Sequence, residues 1–390
     1  MTDLNCDIAI VGAGFAGMYL LHRCRKLGLT AQVWEAGEGV GGTWYWNRYP
    51  GARCDIPSMQ YSFKFDEELQ QDWNWTERYA AQPEILSYAE HIAERFGLLD
   101  GITFNRRVVS AVYDEPGLWT LKAEDGETLT ARFCVMATGC LSTPNWPKVD
   151  GFDDFNGEVL HTALWPHEGV SFAGKRVAVI GTGSSGIQSI PLIAREAAQV
   201  TVFQRTPNYS IPAWNRPLGA DEVADTKANY SEIRKRAMAS PNAIFGDINM
   251  GALADDSEEE RQARLEIRWQ EGGLMFMGAY GDLMKDQNAN DYVANFVKGK
   301  IRGIVKDAET AEKLCPPNII GGKRLCVDTE YYATFNRENV ELIDIRSHPI
   351  DHIEAGGIVA DGRRFEADTI VIATGFDAIT GSLLGMDIRG

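Results

Sequence analysis

Residues 6–35 read CDIAIVGAGFAGMYLLHRCRKLGLTAQVWE, and this stretch decides the fold. Residues 6–11 form a short, mostly apolar run that predicts a buried strand. Gly12, Gly14 and Gly17 follow as GxGxxG. Residues 15–27 predict a helix that Gly28 terminates. AQVW then predicts a second strand, ending at Glu35, 18 residues past Gly17. Each piece has a mechanical task. Gly12 permits the tight turn, Gly14 lets backbone approach a pyrophosphate, and Gly17 lets helix pack on strand. The helix N-terminus offers free N–H groups to phosphate, and Glu35 can accept from ribose hydroxyls. A lone GxGxxG is weak; strand, helix and acid together predict a dinucleotide-binding βαβ unit.

The pattern recurs. KRVAVI (175–180) predicts a strand, followed by Gly181, Thr182, Gly183, Ser184, Ser185 and Gly186. In the next helix Pro191 predicts a kink or local irregularity. QVTVFQ (199–204) is the following strand, and Arg205 stands 19 residues past Gly186, where the first unit has Glu35. An acid there repels a 2′-phosphate and suits FAD or NAD. An arginine followed by Thr206 suits the 2′-phosphate of NADP. The bland alternative for Arg205 is a solvated cation at a strand end. FCVMATG (133–139) and TIVIATG (369–375) read as strands whose Ala-Thr-Gly turns, Thr138 and Gly139 in the first, return the chain beside each nucleotide.

Composition narrows the class. The chain has 390 residues and a net charge of −17 from 38 basic and 55 acidic residues. That argues against nucleic acid or an anionic membrane as partner. No apolar run reaches the roughly 18 residues of a membrane span, and the first ten residues carry no base. Seven scattered cysteines without CxxC spacing argue against a disulfide framework, a zinc site or a disulfide reductase. The expectation is a cytoplasmic α/β protein with no metal. It has two Rossmann-type, three-layer dinucleotide-binding domains and a helical insertion. Residues 1–150 form the FAD-binding domain. Residues 151–215 and 316–380 form the NADP-binding domain, and 216–315 the insertion, in which Glu258–Glu260 is a solvated face. VELIDI (340–345) predicts a strand, and HIEAGGIVADG (352–362) a hairpin.

The segment joining the two units reads Phe155-x-Gly157-xxx-His161-xxx-Trp165-Pro166. It resembles the fingerprint of the Baeyer–Villiger monooxygenases at every position. Gly41-Gly42-Thr43-Trp44, Tyr49-Pro50-Gly51 and Asp55 resemble that family's other long motif, as do residues 73–86 and 321–344. The resemblance implies FAD contacts at Gly12, Gly14, Gly17, Glu35, Gly42, Thr43, Trp44, Asp55, Tyr61, Thr138 and Gly139. It implies NADP contacts at Gly181–Gly186, Arg205, Thr206 and Lys323. Arg324 matches the family's active-site arginine, close to both cofactors, and Asp55 the acid that pairs with it. The implied activity takes NADPH, dioxygen and a ketone to an ester or lactone through a flavin C4a-peroxide that a fixed guanidinium would stabilise. His161 is implied to act through the domain connection rather than as a base. The tryptophans at 44, 46, 73 and 75 read as packing, and the free cysteines as inert. Alternatives are an N- or S-hydroxylating flavin monooxygenase, an uncoupled NADPH oxidase, and a nucleotide-binding protein without turnover. The sequence stops at GSLLGMDIRG, whereas members of the family continue. The FAD domain is therefore expected to lack its C-terminal return. Substrate and oligomeric state are not legible here.

Overall fold

Two sheets, each opened by a glycine-rich strand-to-helix turn, organise the chain. The computed structural model describes residues 4–114, 117–240 and 243–390. Strands are numbered here in chain order. In the first unit β1 (Cys6–Val11) pairs in parallel with β2 (Ala31–Trp34), and the helix Phe15–Lys26 makes the crossover. β3 (Ile102–Thr103) extends the sheet beyond β2. β4 (Val108–Asp114), β5 (Leu118–Ala123) and β6 (Thr128–Met136) form an antiparallel meander, and β6 also runs parallel to β1. β6 therefore begins before the apolar stretch that marked it. Its first half serves the meander, where one face is solvated and the pattern alternates. The helix Gln82–Arg95 brings Ile85, Tyr88, Ala89 and Ile92 into one core with Met18 and Leu21 of the first helix.

The second unit starts with β7 (Glu158–His161), β8 (Arg176–Ile180) and β9 (Gln199–Gln204). The short β10 (Ser210–Pro212) pairs in parallel with β11 (Cys326–Asp328), on the far side of the helical insertion. β12 (Val340–Asp344) returns beside β9. β13 (Ile350–Glu354), β14 (Gly357–Ala360) and β15 (Arg363–Glu366) form a three-stranded antiparallel sheet, one strand more than the expected hairpin. β16 (Thr369–Ile372) completes a parallel sheet of order β12-β9-β8-β16-β7. The helix Ser184–Glu196 continues through Pro191 without a break. Ser185, Gly186, Ile187, Ser189, Ile190, Ile193 and Ala194 are buried on both sides of the proline. That tertiary burial outweighs one lost N–H donor.

The insertion holds the helices Ala220–Ala228, Tyr230–Ala239, Glu258–Glu271, Gln287–Ile304 and Ala308–Leu314. It does not behave as one body. Tyr230 enters the first unit's core beside Leu69, Trp75 and Tyr88. Leu265, Trp269, Val293, Val297 and Ile301 join the second unit's core with Ile190 and Val202. Glu258–Glu260 is exposed, and Ser257 and Glu260 form a capping box at that helix start.

After β16 the helix Gly381–Leu384 brings the Ser382 hydroxyl within 3.1 Å of the Thr138 hydroxyl. β17 (Asp387–Arg389) then pairs in parallel with β4, Ile388 opposite Ala111. The chain thus crosses back to the first sheet through this one short strand. Among the described residues no helix is long and apolar enough to cross a membrane.

Candidate cofactor and active site

The two glycine-rich loops are built alike. Gly12 has φ of 105°, and a Cβ there would lie 2.6 Å from the Ala137 carbonyl oxygen. Gly181 has φ of 110°, and its Cβ would lie 2.5 Å from that of Ala373. Each first glycine is therefore pressed against the turn of its own Ala-Thr-Gly strand, which is why neither tolerates a side chain. Gly17 and Gly186 would collide with the carbonyls of Gly12 and Gly181, so both helices sit directly on their loops. A Cβ on Gly183 would meet nothing within 4 Å, and Gly14 faces only the backbone of Gly42. Both helices start on glycine caps, with no side-chain cap bond and no acid in the first turn. Two uncovered, uncompensated helix N-termini of 12 and 13 residues fit two pyrophosphates.

Glu35 is buried, and its two carboxylate oxygens accept from the N–H groups of Ala13 at 2.6 Å and Gly37 at 2.8 Å. The acid holds the first loop in shape and keeps lone pairs free for ribose hydroxyls. One residue further, an open cavity of about 280 Å³ is lined by Ala36, Asn105, Arg107, Glu124 and Asp125. The Trp44 indole N–H donates to the Tyr61 hydroxyl at 3.0 Å, and Trp44 is buried as expected. Thr43 opens the short helix Thr43–Trp46 on Gly42. These residues fit FAD. In the second unit the Thr182 hydroxyl donates to the Thr206 carbonyl at 3.3 Å, and the Asn208 amide to the Thr182 carbonyl at 2.7 Å. That ties the Arg205–Thr206 corner to the glycine loop. Arg205 and Lys323 are exposed and carry no ion pair among the described residues. Free cations at a nucleotide-binding edge fit a 2′-phosphate.

Asp55 and Arg324 meet. The Arg324 Nε donates to Asp55 Oδ2 at 2.9 Å, and Nη2 to Oδ1 at 2.8 Å and Oδ2 at 2.7 Å. The Arg324 side chain is 62% exposed and that of Asp55 22%. An exposed ion pair contributes little to stability. What the bidentate geometry supplies is a fixed guanidinium with one edge open. Two burials hold its ends. On the Asp55 side, Cys54 is buried and its thiol is pushed up to about 12, chiefly by desolvation. On the Arg324 side, Asp328 is buried and accepts from the Ser210 hydroxyl at 2.5 Å and the Tyr331 N–H at 2.9 Å. Burial raises the Asp328 carboxyl. The structure thus brings together Asp55 with Arg324, Trp44 with Tyr61, and the two Ala-Thr-Gly turns with their loops.

His161 is buried. Its Nδ1 accepts from the Ala163 N–H at 3.0 Å, and its Nε2 lies 3.4 Å from the Asn145 carbonyl. Asn145 lies on the connection between the units, and its N–H donates to the Gly375 carbonyl at 3.0 Å. The histidine is a fastener of that connection, with burial lowering its pKa. All seven cysteines are free, and burial raises the pKa of Cys6, Cys24, Cys134, Cys315 and Cys326 too. The sequence reading missed Tyr49 and Gln188. The Tyr49 hydroxyl donates to the Gln188 side chain at 2.8 Å, joining the two units. Only the Tyr-Pro-Gly motif pointed near this contact.

A family model described as pyridine nucleotide-disulphide oxidoreductase matches residues 9–238. A Baeyer–Villiger monooxygenase of Pseudooceanicola batsensis is 42% identical, over 98% of this chain and 71% of its own length. A phenazine N-monooxygenase of Lysobacter antibioticus is also 42% identical, over 98% of this chain and 72% of its own. The solved structure of an oxidized steroid monooxygenase bound to NADP superposes with a TM-score of 0.95 at 52% identity. It covers 98% of this chain and 74% of that one.

Proposed function

Because this chain belongs to the Baeyer–Villiger monooxygenases, which use FAD and NADPH, we propose that it inserts one oxygen atom beside the carbonyl of a ketone, with Arg324 and Asp55 as its acting pair. The product is an ester or lactone. When bound, NADPH supplies a hydride, and FAD accepts it and activates dioxygen. The remaining work falls to the chain. The N-termini of Phe15–Lys26 and Ser184–Glu196 hold the pyrophosphates, Glu35 a ribose, and Arg205 and Lys323 the 2′-phosphate. Arg324 presents a permanent positive charge to oxygen atoms that become anionic, both on the oxidant and on the former carbonyl. Asp55 fixes its orientation, so no reorganisation is needed when that charge develops. Arginine suits the role because it remains charged at any working pH.

The observation that carries this reading is the bidentate pair itself, with one residue from each nucleotide-binding unit. Product analysis with a cyclic ketone tests it. Lactone formed stoichiometrically with NADPH is expected, and hydrogen peroxide as the sole oxygen product would refute it. A second reading is N-oxidation of an aromatic heterocycle, which the likeness to a phenazine N-monooxygenase favours. Offering a phenazine and a cyclic ketone side by side separates the two. Within this reading the partners are a small ketone and dioxygen, and the setting is the cytoplasm.

A further inference from the structure

We propose that Gln188 is a positioning residue that couples the second glycine-rich loop to the geometry of the Asp55–Arg324 pair. It lies one turn into the helix Ser184–Glu196, whose N-terminus is the second phosphate site. From there its side chain reaches into the first unit with both polar atoms. Its Oε1 accepts from the Tyr49 hydroxyl at 2.8 Å, and its Nε2 donates to the Arg53 carbonyl at 3.1 Å. The two partners bracket a turn whose middle residue, Gly51, has φ of 80°. A Cβ on Gly51 would lie 2.4 Å from the Gln188 backbone oxygen, so the turn lies flush on the helix. The same turn is tied inside its own unit. The Ala52 N–H donates to the Tyr49 carbonyl, and the Cys54 N–H to the Ala80 carbonyl.

Two residues beyond Arg53 the chain reaches Asp55, which holds Arg324 from the second unit. The segment 49–55 is therefore clasped by the second unit at both ends, by Gln188 at one and Arg324 at the other. The amide suits its place because it needs an acceptor toward the phenol and a donor toward a carbonyl, and only one orientation gives both. Tyr49 is half-buried, and desolvation raises its phenol, so the hydroxyl remains a donor. A nucleotide seated on the helix N-terminus thus rests on the same rigid element that sets where Asp55 holds Arg324. Misplacing groups by about 1 Å costs on the order of 100-fold in rate. Both polar atoms of Gln188 are engaged by Tyr49 and Arg53, so it acts through the segment 49–55.

The inference rests on the assignment of Asp55 and Arg324 above. Its test uses the FAD-loaded enzyme and Gln188→Leu, Gln188→Glu, Tyr49→Phe and the double variant Tyr49→Phe/Gln188→Leu. In Gln188→Leu, hydrogen exchange at the amides of Ala52 and Cys54 should rise about tenfold. Half-saturation by NADPH should stay within about threefold, while anaerobic flavin reduction at saturating NADPH falls 10- to 100-fold. Adding Tyr49→Phe should bring little further loss, because the hydroxyl has then already lost its partner. Reduction within twofold of the parent in Gln188→Leu, or losses that multiply in the double variant, would overturn the coupling. If Gln188→Leu does not retain FAD, Gln188→Glu decides. It keeps the acceptor for Tyr49 but loses the donor to Arg53, and parental exchange and reduction in it would overturn the proposal. Failure of the Arg324 assignment is seen separately, as undiminished product from Arg324→Ala, and leaves the exchange measurement standing.

Discussion

Asp55 and Arg324 are separated by 269 positions in sequence and share three hydrogen bonds of 2.7–2.9 Å, each residue coming from a different nucleotide-binding unit. The pair is mostly in solvent on the arginine side, so its contribution is placement rather than stability. Arg324→Ala should leave NADPH binding intact and lower ester formation by on the order of 10² or more, the usual loss for one missing charge-stabilising donor. Arg324→Lys should not restore it, because an ammonium cannot span both carboxylate oxygens. Asp55→Asn should act in the same direction with a smaller loss. Gas chromatography of the product against NADPH consumed is the check. An ester yield from Arg324→Ala equal to that of the parent would remove the assignment.

Arg205 is an exposed arginine without an anionic partner among the described residues, at a position where the first unit has a buried glutamate. NADPH should be preferred over NADH. Arg205→Ala should raise the KM for NADPH roughly 10- to 100-fold, as expected for a lost hydrogen bond to a charged group, and leave that for NADH nearly unchanged. Lys323→Ala should do the same more weakly. Equal losses with both coenzymes would mean that Arg205 does not read the phosphate.

The parts legible in sequence are those where spacing itself encodes geometry. Gly12 and Gly181 had to be glycine because each turns at positive φ against a carbonyl, and that requirement is local. Glu35 and Arg205 were legible from their fixed distance past those loops. The Asp55–Arg324 pair was reachable only through the motif resemblance, since nothing in either residue's own neighbourhood signals a partner so far away. Gln188 was not legible at all. It sits at an ordinary helical position, and its partners come from another unit. The insertion was read as the single stretch 216–315 because it is contiguous in sequence. Its helix Tyr230–Ala239 docks on the first unit through Tyr230, against Met59. β17 is three residues with no pattern to read, and only the free edge of β4 gives it a place.

His161 gives a pH dependence whose sign follows from its bonds. Nδ1 accepts the Ala163 N–H, so the neutral ring is the one that fits, and burial lowers its pKa. Stability from this group is fully present above the unfolded value of about 6.5. It is lost as pH falls below that, because the unfolded chain then binds a proton the folded chain resists. The melting temperature should therefore drop between pH 7.5 and 5.5 more in the parent than in His161→Gln, which cannot titrate. Parallel curves for the two proteins would show that His161 is not linked to acid sensitivity.

Gly51 offers the sharpest test of the contact between units, with Gly28 as its control. Both have positive φ, 80° and 71°, so alanine at either place costs about 1 kcal/mol or more from the backbone alone. They differ in their surroundings. A Cβ on Gly28 would meet nothing within 4 Å, whereas one on Gly51 would sit 2.4 Å from the Gln188 backbone oxygen and 3.3 Å from Leu192. A backbone oxygen in the middle of a buried helix cannot swing aside as a side-chain end can. Either the turn lifts away from the helix, or the helix moves in its core, at a further cost of roughly 1–3 kcal/mol. Gly51→Ala should therefore unfold at lower denaturant than Gly28→Ala by that margin. It should also slow anaerobic flavin reduction at saturating NADPH at least tenfold, while Gly28→Ala reduces at the parental rate. If the two variants lose the same stability and keep the same rate, the turn is free to move off the helix without consequence. The flush contact between the units would then have no part in the reaction.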